Sequence, residues 1–146
     1  EALEKVRVPY AVAGGYAVAL HGAVRGTVDI DLFLRLKERD YIKAEQALQA
    51  LGLRSRLPLS ATEVFRFRLE YIRNRNLVAW SFVNPARPSE IVDLLIAEDL
   101  GRMRVRRIKV GDRTLRVVSI EDLIRMKRAA GRPQDLEDVK ALEKLR

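Results

Sequence analysis

The sequence predicts a mixed α/β fold of the α+β kind: a mixed β-sheet flanked by helices and closed by a C-terminal helical pair. Three observations carry that expectation. A short apolar run, Pro9 to Ala13, stops at Gly14-Gly15 and hands over to helical spacing, then to a second apolar run. Further apolar runs follow after turn-forming residues. The last thirty residues carry helix starts and stops at Ser119, Gly131 and Pro133. Mixed elements of this kind, with helices gathered at the end, suit one layered domain over 1–146, with a sheet core over 1–118 and terminal helices over 119–146.

Taken in order, 9–13 reads as a buried strand. Tyr16 to Ala23 places Ala, Val and Leu at helical spacing, and Gly22 with Gly26 punctuates its end. The run Thr27 to Leu34 reads as a strand interrupted by two acids. From Lys37 to Leu51 the apolar positions Ile42, Ala44, Ala47, Leu48 and Leu51 form one helical face, and Gly52 marks its end. Val64 to Tyr71 alternates apolar and charged residues and predicts a half-exposed strand. Leu77 to Val83 predicts another. After turn material at 84–89, Glu90 to Ile96 reads as apolar strand broken by Asp93. Val105 to Val110 and Thr114 to Val118 flank Gly111-Asp112 as a hairpin. Ser119, with Asp122 three residues on, caps a helix to about Ala130, and Pro133 in a first-turn position restarts a final helix.

A chain of 146 residues is long enough to bury about two thirds of its unfolded surface. Its 48% hydrophobic and 33% charged residues fit a globular protein. No apolar run approaches the roughly 20 residues that span a bilayer, and the residues from Glu1 carry no secretory pattern. Without cysteine there is neither a disulfide framework nor a thiolate metal site. These features predict a reducing compartment, the cytoplasm, and no membrane partner. The net charge of +8, from 21 Arg and 7 Lys against 20 acids, favours phosphate-bearing partners. Arg-rich composition also arises from ion-pair networks that serve thermal stability.

The chemistry concentrates at Asp29 and Asp31. Alternation along a strand puts both carboxylates on one face and Val28, Ile30, Leu32 and Leu34 on the other. Ionised carboxylates on one face repel, and their burial without a partner costs on the order of several kcal/mol. A cation would join them, and oxygen-only ligation suits Mg²⁺ or Mn²⁺. A loop with two solvated acids is the plainer alternative for an isolated D-x-D. Asp93, on a later apolar strand, supplies a third acid. Gly14 and Gly15, where strand meets helix, let backbone approach an anion, or simply make a tight turn. A phosphate-cradling turn followed by three strand acids points to a two-metal phosphoryl-transfer site, in which such ions sit roughly 3.5–4 Å apart.

The string Gly14-Gly15 through Arg25-Gly26-Thr27-Val28-Asp29-Ile30-Asp31 resembles the signature of nucleotidyltransferase-fold proteins related to DNA polymerase beta. More narrowly, it is similar to minimal nucleotidyltransferases and AbiEii-type abortive-infection toxins. Their pattern of a Gly-Gly or Gly-Ser turn, Arg-x-Thr/Ser-x-Asp-x-Asp, a third strand Asp and a helical Lys matches Gly14, Gly15, Arg25, Thr27, Asp29, Asp31, Asp93 and Lys127. The stretch Lys127 to Asp135 adds to the likeness, which spans nearly the whole chain. The resemblance implies transfer of a nucleoside monophosphate from a nucleoside triphosphate to a hydroxyl of a protein or RNA acceptor, tRNA included. It implies Asp29, Asp31 and Asp93 as metal ligands and catalytic acids. It also implies phosphate contacts from Gly14, Gly15, Arg25, Thr27, Lys127 and Arg132, and a toxin or antitoxin partner.

Two departures bear on function. AbiEii-type toxins carry larger C-terminal helical parts, so a noncatalytic nucleotide- or partner-binding module is the alternative. Gly15 stands where many relatives have Ser. For Lys127 and Arg132 a solvated helix end is the plainer reading, and Arg132 has Asp135 as an ion-pair candidate. Asp135 is also placed to cap the final helix. His21 reads equally as packing residue or ligand. Trp80 and Tyr16 read as core more readily than as base-stacking groups. The arginines of 102–116 form either a solvated face or an RNA surface, and no aromatics interleave with them as in recognised RNA modules. A homodimer is compatible with all of this.

Overall fold

A computed structural model describes residues 1–146. After a four-residue helix α1 (Ala2–Lys5), β1 (Tyr10–Ala13) is buried along its whole length and leads directly into α2 (Gly14–Leu20). β2 (Ile30–Leu34), α3 (Glu38–Ala50) and the two-residue β3 (Arg54–Ser55) follow. Next come α4 (Ala61–Arg66) and α5 (Arg68–Arg75), then β4 (Ala79–Asn84) and β5 (Arg87–Leu95). A 3₁₀ turn at Leu100–Arg102 precedes the hairpin β6 (Val105–Val110) and β7 (Arg113–Val118), and the chain ends in α6 (Ile120–Ala130) and α7 (Pro133–Leu145).

Seven strands form one mixed sheet in the order β3-β4-β5-β2-β1-β7-β6. β2 runs parallel to β5 and β1 parallel to β7, while β1 and β2 are antiparallel. Register across the sheet aligns Ser81, Asp93, Asp31 and Ala13 in one row, with Trp80, Leu94, Leu32 and Val12 in the next. Alternation sends these rows to opposite faces. The apolar row meets α3, where Tyr41 stacks 6.4 Å from Trp80 and lies 5.5 Å edge-on from Phe65 of α4. Burying each such aromatic contributes about 1.5–3 kcal/mol. The acid row lies on the face approached by α2, α6 and α7, which pack on one another.

Most expected elements are present. The strand expected over Val64 to Tyr71 is not: this segment forms α4 and α5. Ser60 accepts from the Glu63 amide and Glu63 reaches back to Ser60, a capping box that starts a helix. Ala61 and Val64, three residues apart, are buried together, so the apolar alternation of Val64, Phe65 and Phe67 straddles two short helices instead of facing one sheet surface. β5 also begins earlier than expected, because Pro85-Ala86 closes a tight hairpin in which the Ala86 amide donates to Asn84 Oδ1 (3.0 Å). Strand alternation assigns Val28 to the buried face, yet it is 67% exposed, since β2 starts only at Ile30. No helix is long and apolar enough to cross a membrane.

Candidate active site

Gly14 opens the site. Its φ of +62° lies in the left-handed region, and a Cβ there would fall 1.8 Å from Asp31 Oδ2. The turn backbone thus rests directly on the carboxylate, which only glycine permits. A Cβ on Gly15 would stand 3.2 Å from the Arg25 guanidinium carbon and from Thr27 Cβ. Both residues belong to the loop between α2 and β2, so this loop folds over the glycine turn while delivering Asp29 to the start of β2.

Asp31 and Asp93 are paired neighbours on parallel strands. Burial, the charge of Asp93 and that of Asp29 together push the Asp31 carboxyl from its ordinary 3.8 up to about 6. Ser81, the next residue along the row, donates its hydroxyl to Asp93 Oδ1 at 2.5 Å and fixes that carboxylate's orientation. The three acids line one recess of about 430 Å³ with Gly14, Gly15, Arg25, Thr27, Lys127 and Arg132, so every residue expected at the site from sequence reaches it. They do not converge into a ready-made set of three metal ligands. Their donor set nevertheless fits a hard divalent ion, for it offers only oxygens, and a cation would offset the burial and like-charge repulsion that disfavour the ionised form of Asp31.

The C-terminal helices contribute a charge network that the sequence only half disclosed. Lys127 is 8% exposed, so the solvated-end reading fails for it. Its Nζ lies 3.4 Å from Asp135 Oδ1 and 2.8 Å from Asp138 Oδ2. The latter contact is an ion pair without hydrogen-bond alignment, leaving Oδ2 unsatisfied in that sense. Asp138 Oδ1 accepts from Arg25 Nε and from Gln134 Nε2, each at 3.0 Å. Burial opposes ionisation of Asp138, but the Lys127 and Gln134 contacts and the field of Arg25 hold its carboxyl below the usual range. Arg132 remains largely exposed and donates Nε to Asp135 Oδ2 at 2.7 Å, while the Arg132 amide donates to the same oxygen at 3.2 Å. Asp135 therefore both caps α7 and pairs with Arg132.

Asp138, Gln134 and Ser81 escaped sequence reading. The spacing of Asp135 and Asp138 on one face of an otherwise apolar-backed helix was the signal that could have found the first. Nothing local marks Ser81. His21 is a packing residue, its Nε2 donating to the Val118 carbonyl at 2.8 Å. Trp80 is fully buried, which leaves it no open face for stacking a base. Beside the acid recess, sharing Gly14, Asp31, Lys127 and Arg132, lies an apolar cleft of about 390 Å³ floored by Phe33 and Leu95 and walled by Leu123 and Met126 of α6.

A mixed sheet with a glycine turn pressed onto a strand carboxylate and a second acid beside it defines a nucleotidyltransferase-type protein. The chain belongs to the family described as "Nucleotidyltransferase of unknown function (DUF6036)", whose model matches residues 2–145. Among solved structures, the fold is similar to ANT(2")-Ia in complex with adenylyl-2"-tobramycin. That match has 17% identity and a TM-score of 0.62, covering 99% of this chain and 86% of that one. It is also similar to the lincosamide antibiotic adenylyltransferase LnuA, lincomycin-bound (16%, TM-score 0.62, 99% and 91% covered). A third similar structure is an antigenic nucleotidyltransferase-like protein from Paracoccidioides brasiliensis (16%, TM-score 0.62, 98% and 71% covered). Comparison with curated proteins gave no match.

Proposed function

We propose that the recess binds a nucleoside triphosphate with Mg²⁺ or Mn²⁺ and transfers its nucleoside monophosphate to a hydroxyl of a protein or RNA acceptor, releasing pyrophosphate. The observation that carries this is the row in which Asp93 and Asp31 stand side by side under Gly14. Such an arrangement strands negative charge unless a ligand neutralises it.

In this reading Asp29, Asp31 and Asp93 are the metal ligands. A bound divalent ion supplies charge neutralisation at the transferring phosphoryl group. Gly14 and Gly15 give the triphosphate backbone amides without a Cβ in the way, and Arg25 and Thr27 close over it from the loop. Arg132, exposed beside the recess, is the side chain free to swing from Asp135 onto a phosphate. Lys127, held between two carboxylates, acts more by its field on Asp31 than by direct contact. Asp93, steadied by Ser81, faces the acceptor side and can take the hydroxyl proton. Positioning and electrostatics supply the catalysis. The likeness to AbiEii-type toxins supports a place in a toxin–antitoxin pair, with an antitoxin as partner.

Incubation with each α-labelled nucleoside triphosphate, Mg²⁺ or Mn²⁺, and cellular RNA or protein tests the activity. Label should appear on one acceptor class and vanish with Asp29→Asn and with Asp31→Asn. Absence of label with every triphosphate and both ions, or equal label with those variants, would overturn the proposal.

A further inference from the structure

The chain's positive charge is not spread over its surface. Residues 102–116 contain seven basic side chains against one acid, Asp112, a net of +6 out of the chain's +8. Elsewhere about half of the arginines pair with carboxylates, as in Arg25–Asp138, Arg35–Asp40, Arg66–Glu38 and Arg128–Glu143. In the hairpin only Arg113 has such a partner, Glu1 at 3.1 Å. Register sets Arg107 directly opposite Arg116 and Lys109 opposite Thr114. Like charges facing each other across strands destabilise a hairpin. Charged residues do protect an exposed edge strand such as β6 from pairing, but that role asks for charge on β6 and not for an opposed Arg116 on the inner strand β7.

We propose that the β6–β7 hairpin is a docking surface for the phosphate backbone of a single-stranded RNA. Alternate residues on one strand face stand about 6.6 Å apart, so Arg107 and Lys109 present cations at a step that an extended polynucleotide backbone can follow. Arg116 widens the row by one strand. No aromatic residue lies on the hairpin to stack a base, so the surface reads charge and spacing, not sequence. Alternation through Val12↔Val117 and Ala13↔Asp31 puts this row on the acid side of the sheet. β6 stands three strands from β2, about 14 Å at the usual strand spacing. With α2 packed over β1 and β7 in between, a strand anchored on the hairpin would pass around α2 to present a hydroxyl to the recess, and this last step rests on the nucleotidyl-transfer reading above.

The test is fluorescence anisotropy with a labelled single-stranded oligoribonucleotide, on the parent and on Arg107→Glu/Lys109→Glu, at several salt concentrations. Melting is checked for both proteins, and Arg107→Gln/Lys109→Gln serves if the reversed charges disturb folding. The parent should bind with a steep salt dependence. The double variant should bind at least tenfold more weakly, with a log–log slope shallower by about 1.4, roughly 0.7 for each phosphate that is no longer neutralised. Unchanged affinity and slope in both double variants would overturn the proposal. So would equal binding of a polyglutamate of the same charge, which points to an acidic protein partner, or tighter binding of the matching duplex. Because Asp31→Asn should bind the oligonucleotide like the parent, failure of nucleotidyl transfer and failure of docking are read separately.

Discussion

At the residue scale, Asp31 shows what holding a site in readiness costs. Its folded-state carboxyl titrates at about 6, above the ordinary 3.8, because burial and the neighbouring acids disfavour the charged form. The native state therefore keeps a proton that the unfolded chain gives up. Stability attributable to this group is full below about pH 4 and falls as pH rises through about 6. The shift corresponds to about 3 kcal/mol at face value and about 1–2 kcal/mol after discounting for its partial exposure. Asp31→Asn should consequently melt higher than the parent at pH 7.5, lose the decline between pH 4 and 6 in urea titrations, and lack transferase activity. A variant that melts lower at neutral pH would contradict the account.

At the element scale, Asp138 ties α7 to both α6 and the loop ahead of β2, beside the Asp135–Lys127 contact. Asp138 receives Lys127 from α6 and Arg25 from the loop ahead of β2, and is itself 3% exposed. Asp138→Ala leaves Lys127 buried with half its counter-charge, and should cost about 3–5 kcal/mol in urea unfolding. Asp138→Asn keeps acceptors for Arg25 and should cost less; equal losses for the two would show that charge, not hydrogen bonding, is what matters there. The same scale explains the one wrong element. Residues 64–71 look like a strand when apolar alternation is counted, but the Ser60–Glu63 box and the burial of Ala61 with Val64 on α3 select two helices. Where the local pattern was unambiguous, as at Ser119, Gly131 and Pro133, helix ends fell where chemistry requires: Ser119 accepts from the Asp122 amide and Gly131 takes the left-handed cap.

For the whole molecule, ligand linkage gives the broadest prediction. If Mg²⁺ with a triphosphate binds only the folded recess, hundredfold saturation adds about 2.7 kcal/mol, or roughly 8 °C in a domain this size. Thermal melting should show that rise in the parent and none in Asp31→Asn; an equal rise in both would place the ligand elsewhere. Short-range patterns along the chain were enough for the strand–turn–helix–strand unit, the three acids, the glycine pair and both terminal helices. Each rests on local chemistry: side-chain period, glycine's backbone freedom and capping groups. Packing alone settled that Asp93 stands beside Asp31, that Ser81 steadies it, that Lys127 is enclosed by Asp135 and Asp138, and that the edge hairpin sets Arg107 against Arg116 with neither paired to a carboxylate. Those outcomes depend on sheet order and helix packing, which join residues tens of positions apart, and no local pattern records which strands become neighbours.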